Sequence, residues 1–396
     1  MKLSHGLGLT GLGLFGAVLA VSSIGVSGVG CSSSSGSSSS GGGSGDTCAN
    51  AANDCIVQPP APTTGSPTSA SHNYAVKTLY LGDTDRTGVT SSTAWKSYGY
   101  NLDNLVTTKT STDVCTLFAG ASKDTQADGN GGIDNSFGEN ILPIVITTAG
   151  STAAADINTA INEGHFTIMT YVTGFDDSAG NTTSATGLTG LLLAGGNYAD
   201  LNEGGAPAWN TTTHWPILPT LINGCNSTTG CPAGTDPIAN AQITFPMAYQ
   251  ANGTFVNGSP AQLSLTLSIG GESLSISVHG ALITFAPNSP GSVTNGTIAG
   301  TLITSELVSS LQGVAGSISA SLCSGSAFNS IAQQIEQASD IIIDPTSGAV
   351  SNTSGQMCNG ISIGLGFDAT EIAAPVAADI EAPPPPAPNP CDAGTD

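Results

Sequence analysis

The sequence is poor in basic residues. Its 396 residues contain six Lys and Arg against 28 Asp and Glu, which gives a formal net charge of −22. The last basic residue is Lys123, and no Lys or Arg follows it. Nucleic-acid binding needs a cationic surface, and phosphate or carboxylate substrates are usually bound by Arg or Lys. We therefore expect no nucleic-acid partner, and no site for such anions in residues 124–396.

Sequence motifs of common catalytic and metal sites are also missing. The chain contains no GxSxG, HExxH, Walker or CxxC motif, and its five His are scattered. A Ser/His/Asp triad assembled from distant loops, with His165 or His214 as the base, stays an alternative. So does a pair of carboxylates that hydrolyses a glycoside. We expect no catalytic residue on the evidence of motifs.

The N-terminal region has the order of an export signal followed by a tether. Residues 6–30 carry no charge, small residues precede Cys31, and a Ser/Gly run follows it. This resembles a bacterial lipoprotein signal, in which the signal peptide is removed and the Cys is lipidated. An uncleaved membrane helix is the alternative. We predict a signal peptide at 1–30, lipidation of Cys31, a flexible Ser/Gly/Pro tether over 31–73, a globular domain over 74–375 and a Pro-rich tail over 376–396.

Nine Cys are present. If Cys31 carries lipid, the even number that remains suggests four disulfides in an exported chain. Proximity in sequence favours Cys48–Cys55 and Cys225–Cys231. By elimination, the remaining pairs are then Cys323–Cys358 and Cys115–Cys391.

Alternation of apolar and polar residues indicates a β-rich body. Residues 263–269 and 274–278 alternate strictly on either side of Gly270-Gly271, which predicts a hairpin, with a bulge near Gly280. Other strands are expected at 74–81, 141–147, 165–172, 242–249, 296–303 and 361–367, and helices at 152–163, 306–318 and 327–341. We expect a mainly β fold, an antiparallel β-sandwich-like body with two or three packed helices.

Oxygen-bearing side chains recur along the Gly-rich stretch 124–139. Calcium prefers six to eight oxygen ligands on a flexible loop, and this stretch resembles a calcium loop of the EF-hand or dockerin kind. Its register departs from the EF-hand pattern, and a solvated acidic turn is the alternative. The predicted cofactor is calcium, with the metal ligands Asp124, Asp128, Asn130, Asp134 and Glu139.

Aromatic residues cluster in a loop-like segment. Trp95, Tyr98 and Tyr100 could stack on sugar rings, so we predict a ligand-binding role for them. The alternative is that they anchor a long loop to the core.

Three segments, together with the anchor and tether, carry a wider resemblance. Residues 79–86 (LYLGDTDR), 132–138 (GIDNSFG) and 321–328 (SLCSGSAF) resemble uncharacterised cell-envelope lipoproteins of myxobacterial type. This resemblance implies no activity and no site residues. We expect a lipid-anchored envelope or outer-membrane protein, a non-catalytic binding module for a glycan or an envelope protein, assisted by calcium. The alternative is a secreted hydrolase that acts on an extracellular polymer.

Overall fold

The computed structural model describes residues 31–32, 56–149, 153–200, 205–226, 229–269, 272–318 and 326–381. The predicted signal peptide, Cys48–Cys55 and the tail beyond residue 381 lie outside these ranges. The last part of the predicted tether packs on the body: Asn101 N donates to Val57 O at 2.9 Å, and Thr68 N donates to Gly174 O at 3.0 Å. Ordered packing therefore begins before residue 74.

The strands of the described ranges form three sheets. They are β1 (Cys31–Ser32), β2 (Ile56–Val57), β3 (Ser71–Tyr80), β4 (Thr167–Thr173), β5 (Ala185–Gly195), β6 (Ile243–Ala251), β7 (Thr254–Val256), β8 (Ala261–Ile269), β9 (Glu272–Ser289), β10 (Ser292–Ile303), β11 (Ile342–Ile343), β12 (Val350–Ser351) and β13 (Gly360–Glu371). The pairs β1–β2 and β11–β12 are two-stranded sheets, and the other nine strands form one large sheet.

The large sheet closes into an eight-stranded antiparallel barrel. Its strand order is β10-β13-β3-β4-β5-β6-β7-β9, and β9 returns to pair with β10. The predicted sandwich is therefore wrong. The decisive element is β9, which is 18 residues long. Its second half pairs with β7 on one edge and β10 on the other, so no open edge is left between two sheets, while its first half carries β8 as an extension.

The predicted hairpin and bulge are confirmed. Strands β8 and β9 pair from Ile269 opposite Glu272 back to Leu263 opposite Val278. The turn residues themselves lie outside the described ranges. The pairing shifts register on both sides of Gly280, whose φ is +62°, a left-handed value that favours glycine. Such bulges curve a strand, and here the curvature serves closure of the barrel.

Large side chains fill the barrel interior. The rings of Phe255 and Phe285 stack at 4.6 Å between centroids, and Phe175 meets both edge-on. Tyr74 and Phe367 pack against Phe285 from other strands. An eight-stranded barrel has an interior just wide enough for its side chains, which is what this aromatic core shows. The barrel is a rigid scaffold for its loops.

Four α-helices accompany the barrel in the described ranges. They are α1 (Leu142–Ala149), α2 (Ala153–Glu163), α3 (Thr304–Ile318) and α4 (Ser326–Gln337). The last three confirm predicted helices, and Leu307 and Ile335 join the barrel core. Every helix in these ranges falls short of the length and apolar character that crossing a lipid bilayer requires.

The strand predicted at 141–147 is wrong. A π-helical turn, Phe137–Ile141, leads into α1 over this apolar run. Short apolar runs fit a strand and a buried helix equally well. Pro143 comes directly after the π-helical turn, where the backbone hydrogen-bond pattern already departs from that of a regular α-helix.

Side chains complete an unpaired edge of β13. Strand β3 stops pairing with β13 at Tyr80 opposite Gly366, and Ile341 bridges Gly360, which leaves residues 361–365 without a strand on that edge. Asn135 accepts from Gly364 N at 2.9 Å and donates to Gly364 O at 3.0 Å. Asp340 accepts from Ser362 N at 2.8 Å. These two buried side chains take the place of a strand on this edge. They hold the loops that contain residues 135 and 340 against the barrel.

Two disulfides are present in the described ranges. Cys225–Cys231 is confirmed, and the second joins Cys115 to Cys358 across a sequence separation of 243 residues, with Cα atoms 5.3 Å apart. The predicted Cys323–Cys358 and Cys115–Cys391 pairs are therefore wrong, and Cys323 and Cys391 lie outside the described residues. Pairing the Cys by elimination uses only their order in the sequence and not their positions in the fold. In the fold, Cys358 N donates to Thr116 O, which places Cys115 and Cys358 side by side.

Candidate functional site

Three buried or half-buried carboxyl groups, Asp103, Asp128 and Asp134, gather in the loops between β3 and α1. We call these three residues the carboxyl cluster. The segment is held in place by Asn135, whose side chain bonds to β13 and donates to Trp95 O and Tyr98 O at 3.1 Å. Because Asn135 follows Asp134 directly, the same contacts fix the cluster relative to the barrel.

Backbone N–H groups orient the cluster. Leu102 N donates to Asp134 Oδ2 at 2.6 Å, and Thr107 N donates to Asp128 Oδ2 at 2.5 Å. The Thr107 hydroxyl donates to the other oxygen of Asp128 at 2.6 Å. Asp128 and Asp134 are close enough for their charges to repel each other.

Burial raises the pKa values of the cluster. It raises the pKa of Asp128 to about 7, against hydrogen bonds from Thr107, and the charge of Asp103 adds to the rise. Burial also raises the pKa of Asp134 well above its usual range, and repulsion from Asp103 and Asp128 raises it further. The pKa of Asp103 is raised by burial too, against its hydrogen bonds. The cluster therefore retains protons near neutral pH unless another cation replaces them.

Positive charge is scarce around the carboxyl cluster. None of the ion pairs among the described residues involves the cluster. Asp103 Oδ2 and Asn101 Oδ1 are buried without a hydrogen-bond partner. Asn101 is 2% exposed, and Leu105 links it to the cluster, since Leu105 O accepts from the Asn101 amide and Leu105 N donates to Asp103 Oδ1. The result is an oxygen-rich site in which two acceptors lack a hydrogen bond, although the side chain of Asn352 lies near enough to Asp103 to lower its pKa.

The other predicted calcium ligands lie around this cluster with different partners. Asp124 is exposed, with Oδ1 4.0 Å from Lys109 Nζ. Asn130 donates to Ser97 Oγ at 3.1 Å. Glu139 is partly buried, and burial raises its pKa to about 7 against the attraction of Lys96, with repulsion from Asp124. The structure thus brings Asp128 and Asp134 together, and leaves Asp124 and Asn130 with partners of their own.

The predicted sugar-binding aromatics are core residues. Trp95, Tyr98 and Tyr100 are 5%, 1% and 6% exposed. The Tyr98 hydroxyl donates to Thr84 O at 2.9 Å, and the Tyr100 hydroxyl pairs with Thr284 Oγ1 at 2.7 Å. These rings present no face to a sugar, because they anchor the 94–100 segment to the barrel. The alternative role, core anchoring, is the one that their burial matches.

Two functional candidates were missed from the sequence. Asp103 lies 21 residues before the acid-rich stretch, and its only signal is the oxygen-rich tetrapeptide 101–104. Asp340 lies on a distant segment, and burial raises its pKa to about 8, against hydrogen bonds from Ser362. Its charge adds to the raised pKa of Asp134. Only the fold brings residue 340 next to residue 134.

No protein-family model, curated protein or solved structure matches this chain. The resemblance to envelope lipoproteins therefore stays a prediction, and the site is interpreted from its own geometry. Among the His proposed as bases, His165 Nε2 lies 3.4 Å from Glu163 and is largely exposed, and His214 Nδ1 lies 3.1 Å from Asp379. The carboxyl cluster can do two things chemically: share protons, or bind a hard cation through oxygen.

Proposed function

We propose that this chain is a non-catalytic binding module, anchored to the cell envelope through lipid on Cys31, that binds calcium at the carboxyl cluster. The observation that carries the proposal is a set of three electrostatically interacting carboxyl groups in one buried loop region, with two oxygens that lack a hydrogen bond and no ion-pair partner among the described residues. Their oxygens are not all within 4.8 Å of one another, so calcium would have to draw the loops together. Calcium takes six to eight oxygens from carboxylates and from backbone or side-chain carbonyls. Asn101 Oδ1 and Asp103 Oδ2 are such oxygens.

Calcium and protons compete for the same carboxyl groups. Burying ionised carboxylates without a counter-charge is unfavourable, so the cluster without metal keeps protons on Asp128 and Asp134. A divalent cation supplies the missing positive charge and allows these protons to leave. Calcium binding would then order the loops between β3 and α1. Polar side chains such as Lys123 and Asp124 lie at the surface of this segment, where a glycan or an envelope protein could contact them.

The anchor has its own test. Lipidation of Cys31 with more than one acyl chain would hold the barrel at a membrane through the Ser/Gly tether, since each buried CH₂ contributes about 0.8 kcal/mol and one chain alone binds only reversibly. We expect the full chain to sediment with membranes and Cys31→Ser to appear in the soluble fraction. Sedimentation of Cys31→Ser with membranes as complete as that of the natural chain would contradict lipidation at Cys31.

Calcium should raise the melting temperature of the full chain, extracted in detergent, by several degrees relative to EDTA. A ligand present at 100 times its Kd stabilises the folded state by about 2.7 kcal/mol. The double variant Asp128→Asn/Asp134→Asn should lose this response, because amides cannot neutralise the cation. Asp124→Asn is the matched control, and it should keep the response because Asp124 lies outside the cluster.

Two outcomes would contradict the proposal. If calcium leaves the melting temperature unchanged, the cluster is a structural pair of protonated acids. If the double variant responds to calcium as the natural chain does, calcium binds elsewhere. Loss of the response in Asp124→Asn would instead favour the five-residue loop that the sequence predicts.

A further inference from the structure

One end of the barrel brings together three potential metal ligands from distant parts of the chain. His72 lies near the start of β3, Glu371 is the last residue of β13, and Asp177 follows β4 by four residues. Residue 371 pairs with Tyr74, and His72 pairs with Val172, whose side chain is in the barrel core. Because side chains two apart share a face of a strand, His72, Tyr74 and Glu371 belong to the inner face at this end.

The ligand atoms are close enough to share one ion. His72 Nδ1 lies 2.9 Å from Glu371 Oε1 and 3.8 Å from Asp177 Oδ2, and one ligand atom from each residue lies within 4.8 Å of the others. Metal–ligand distances of about 2.0–2.2 Å place neighbouring ligand atoms about 3–3.5 Å apart. The side chains of His72, Asp177 and Glu371 are 12%, 20% and 19% exposed, so the group is mostly buried but remains accessible to solvent.

The β9–β10 turn fixes the two carboxylates. Gly291 N donates to Asp177 Oδ2 at 3.0 Å, and Gly291 O accepts from Glu371 N at 2.8 Å. One glycine thus ties both acidic residues to the same turn. Outer contacts of this kind orient metal ligands before the ion arrives.

Two buried polar groups at this place have no partner. Tyr74 is 1% exposed, and its hydroxyl has no hydrogen bond. The hydroxyl lies near Asp177 and Glu371. Burial is the main cause of the raised pKa of Tyr74, and the charges of these two acids add to it. His72 Nε2 is likewise buried and unpartnered, and its ring stacks on Tyr74 at 5.6 Å between centroids. An unsatisfied buried hydroxyl is rare in proteins and calls for a ligand or a water.

We propose that His72, Asp177 and Glu371 bind a divalent first-row transition metal ion at this end of the barrel, with zinc as the representative ion. The class follows from the donors: imidazole suits zinc, copper, iron and nickel, whereas calcium prefers oxygens alone and needs six to eight of them. Three protein ligands leave a coordination position open, and the Tyr74 hydroxyl or a solvent molecule beside it fills that position.

The competing explanation is an ion pair without metal, in which protonated His72 bridges Asp177 and Glu371. That arrangement uses one N–H for two carboxylates and leaves the Tyr74 hydroxyl unsatisfied. A metal ion engages both carboxylates and supplies a partner for the hydroxyl or its solvent. It also adds two positive charges beside Asp177 and Glu371, which both lie in the part of the sequence without Lys or Arg.

Zinc titration of the full chain in detergent tests the proposal, after EDTA treatment and with millimolar calcium present to occupy hard-cation sites. We expect one zinc per chain by calorimetry. His72→Gln and Glu371→Gln should each weaken zinc binding by about 100-fold or more, since even outer contacts to a metal ligand are worth 10–100-fold. Glu371→Gln preserves shape, and its melting temperature reports whether it folds.

Two controls separate this site from others. His165→Gln removes an exposed His beside Glu163 and should leave the zinc affinity unchanged. Asp128→Asn/Asp134→Asn should also bind zinc normally, so the calcium and zinc proposals fail independently. As a second readout, cobalt(II) should give visible absorption in the natural chain and lose it in Glu371→Gln. The proposal is overturned if zinc does not bind, if both ligand variants bind it normally, or if only His165→Gln loses it.

Discussion

Lowering the pH from about 8 to about 5 should raise the melting temperature of this protein by at least about 5 °C in the absence of calcium. Most globular proteins vary little or lose stability on such a change. The expectation rests on buried carboxyl groups whose pKa values burial raises. Burial raises the pKa of Asp128 to about 7, the pKa of Asp340 to about 8, and the pKa of Asp134 well above its usual range.

The sign follows from proton linkage. An acid with a raised pKa keeps its proton in the folded state and releases it in the unfolded state between about pH 4 and its folded pKa. In that window the folded state binds more protons, so the free energy of unfolding falls as pH rises, by about 1.4 kcal/mol per pH unit for each such group. Asp85, Asp176 and Asp344 have lowered pKa values because of their hydrogen bonds, and they act in the opposite direction only below about pH 4.

Asp340→Asn should reduce this pH dependence. The amide keeps an oxygen that accepts from Ser362 N, and it resembles the protonated acid in shape. We therefore expect the melting temperature near pH 8 to equal or exceed that of the natural chain, with a smaller gain on acidification. Thermal unfolding followed by circular dichroism at several pH values measures this, with exposed Asp124→Asn as the control. An unchanged slope together with a lower melting temperature at every pH would mean that Asp340 is ionised in the folded protein.

Removing the Cys115–Cys358 disulfide should destabilise the protein far more than removing Cys225–Cys231. In the chain-entropy treatment, closing a loop of about 244 residues contributes about 5 kcal/mol, and closing one of about seven residues contributes about 2 kcal/mol. The first bond also joins the segment between Asp103 and Asp128 to the segment that precedes β13.

The double variants Cys115→Ser/Cys358→Ser and Cys225→Ser/Cys231→Ser make this comparison without leaving unpaired thiols. We expect the first to lower the melting temperature by more than twice as much as the second. Urea unfolding followed by tryptophan fluorescence gives an independent measure. Equal losses for the two variants would show that the long disulfide adds little beyond the packing around it.

Local structure could be predicted from this sequence because it depends on local spacing. The alternation over 263–278 defined the β8–β9 hairpin, and the i, i+4 pair Ile157 and Ile161 defined the buried face of α2. The barrel could not be predicted in this way. Its closure depends on which edges of β9 are occupied, and β9 uses its first half for β8 and its second half for β7 and β10. Nothing in the strand's composition marks that division.

The residues of the two candidate sites could likewise be predicted from the sequence only in part. Asp128 and Asp134 were found because they lie in one acid-rich stretch, whereas Asp103 and Asp340 join them only through the fold. Burial, which sets the pKa values, is a property of the packed loops and not of the stretch. The ligands His72 and Glu371 are 299 residues apart, and their pairing depends on β3 and β13 being neighbours. A chain without recognisable motifs can thus carry sites that only its topology assembles.

Proton release on calcium binding is the measurement that tests the central claim most directly. Calorimetric titrations of the full chain at about pH 6.5, in two buffers with different ionisation enthalpies, count the protons exchanged for each calcium ion. Because burial raises the pKa values of Asp128 and Asp134, we predict release of at least about one proton per calcium bound. We predict neither calcium binding nor proton release in Asp128→Asn/Asp134→Asn. Calcium binding without proton release would contradict the account.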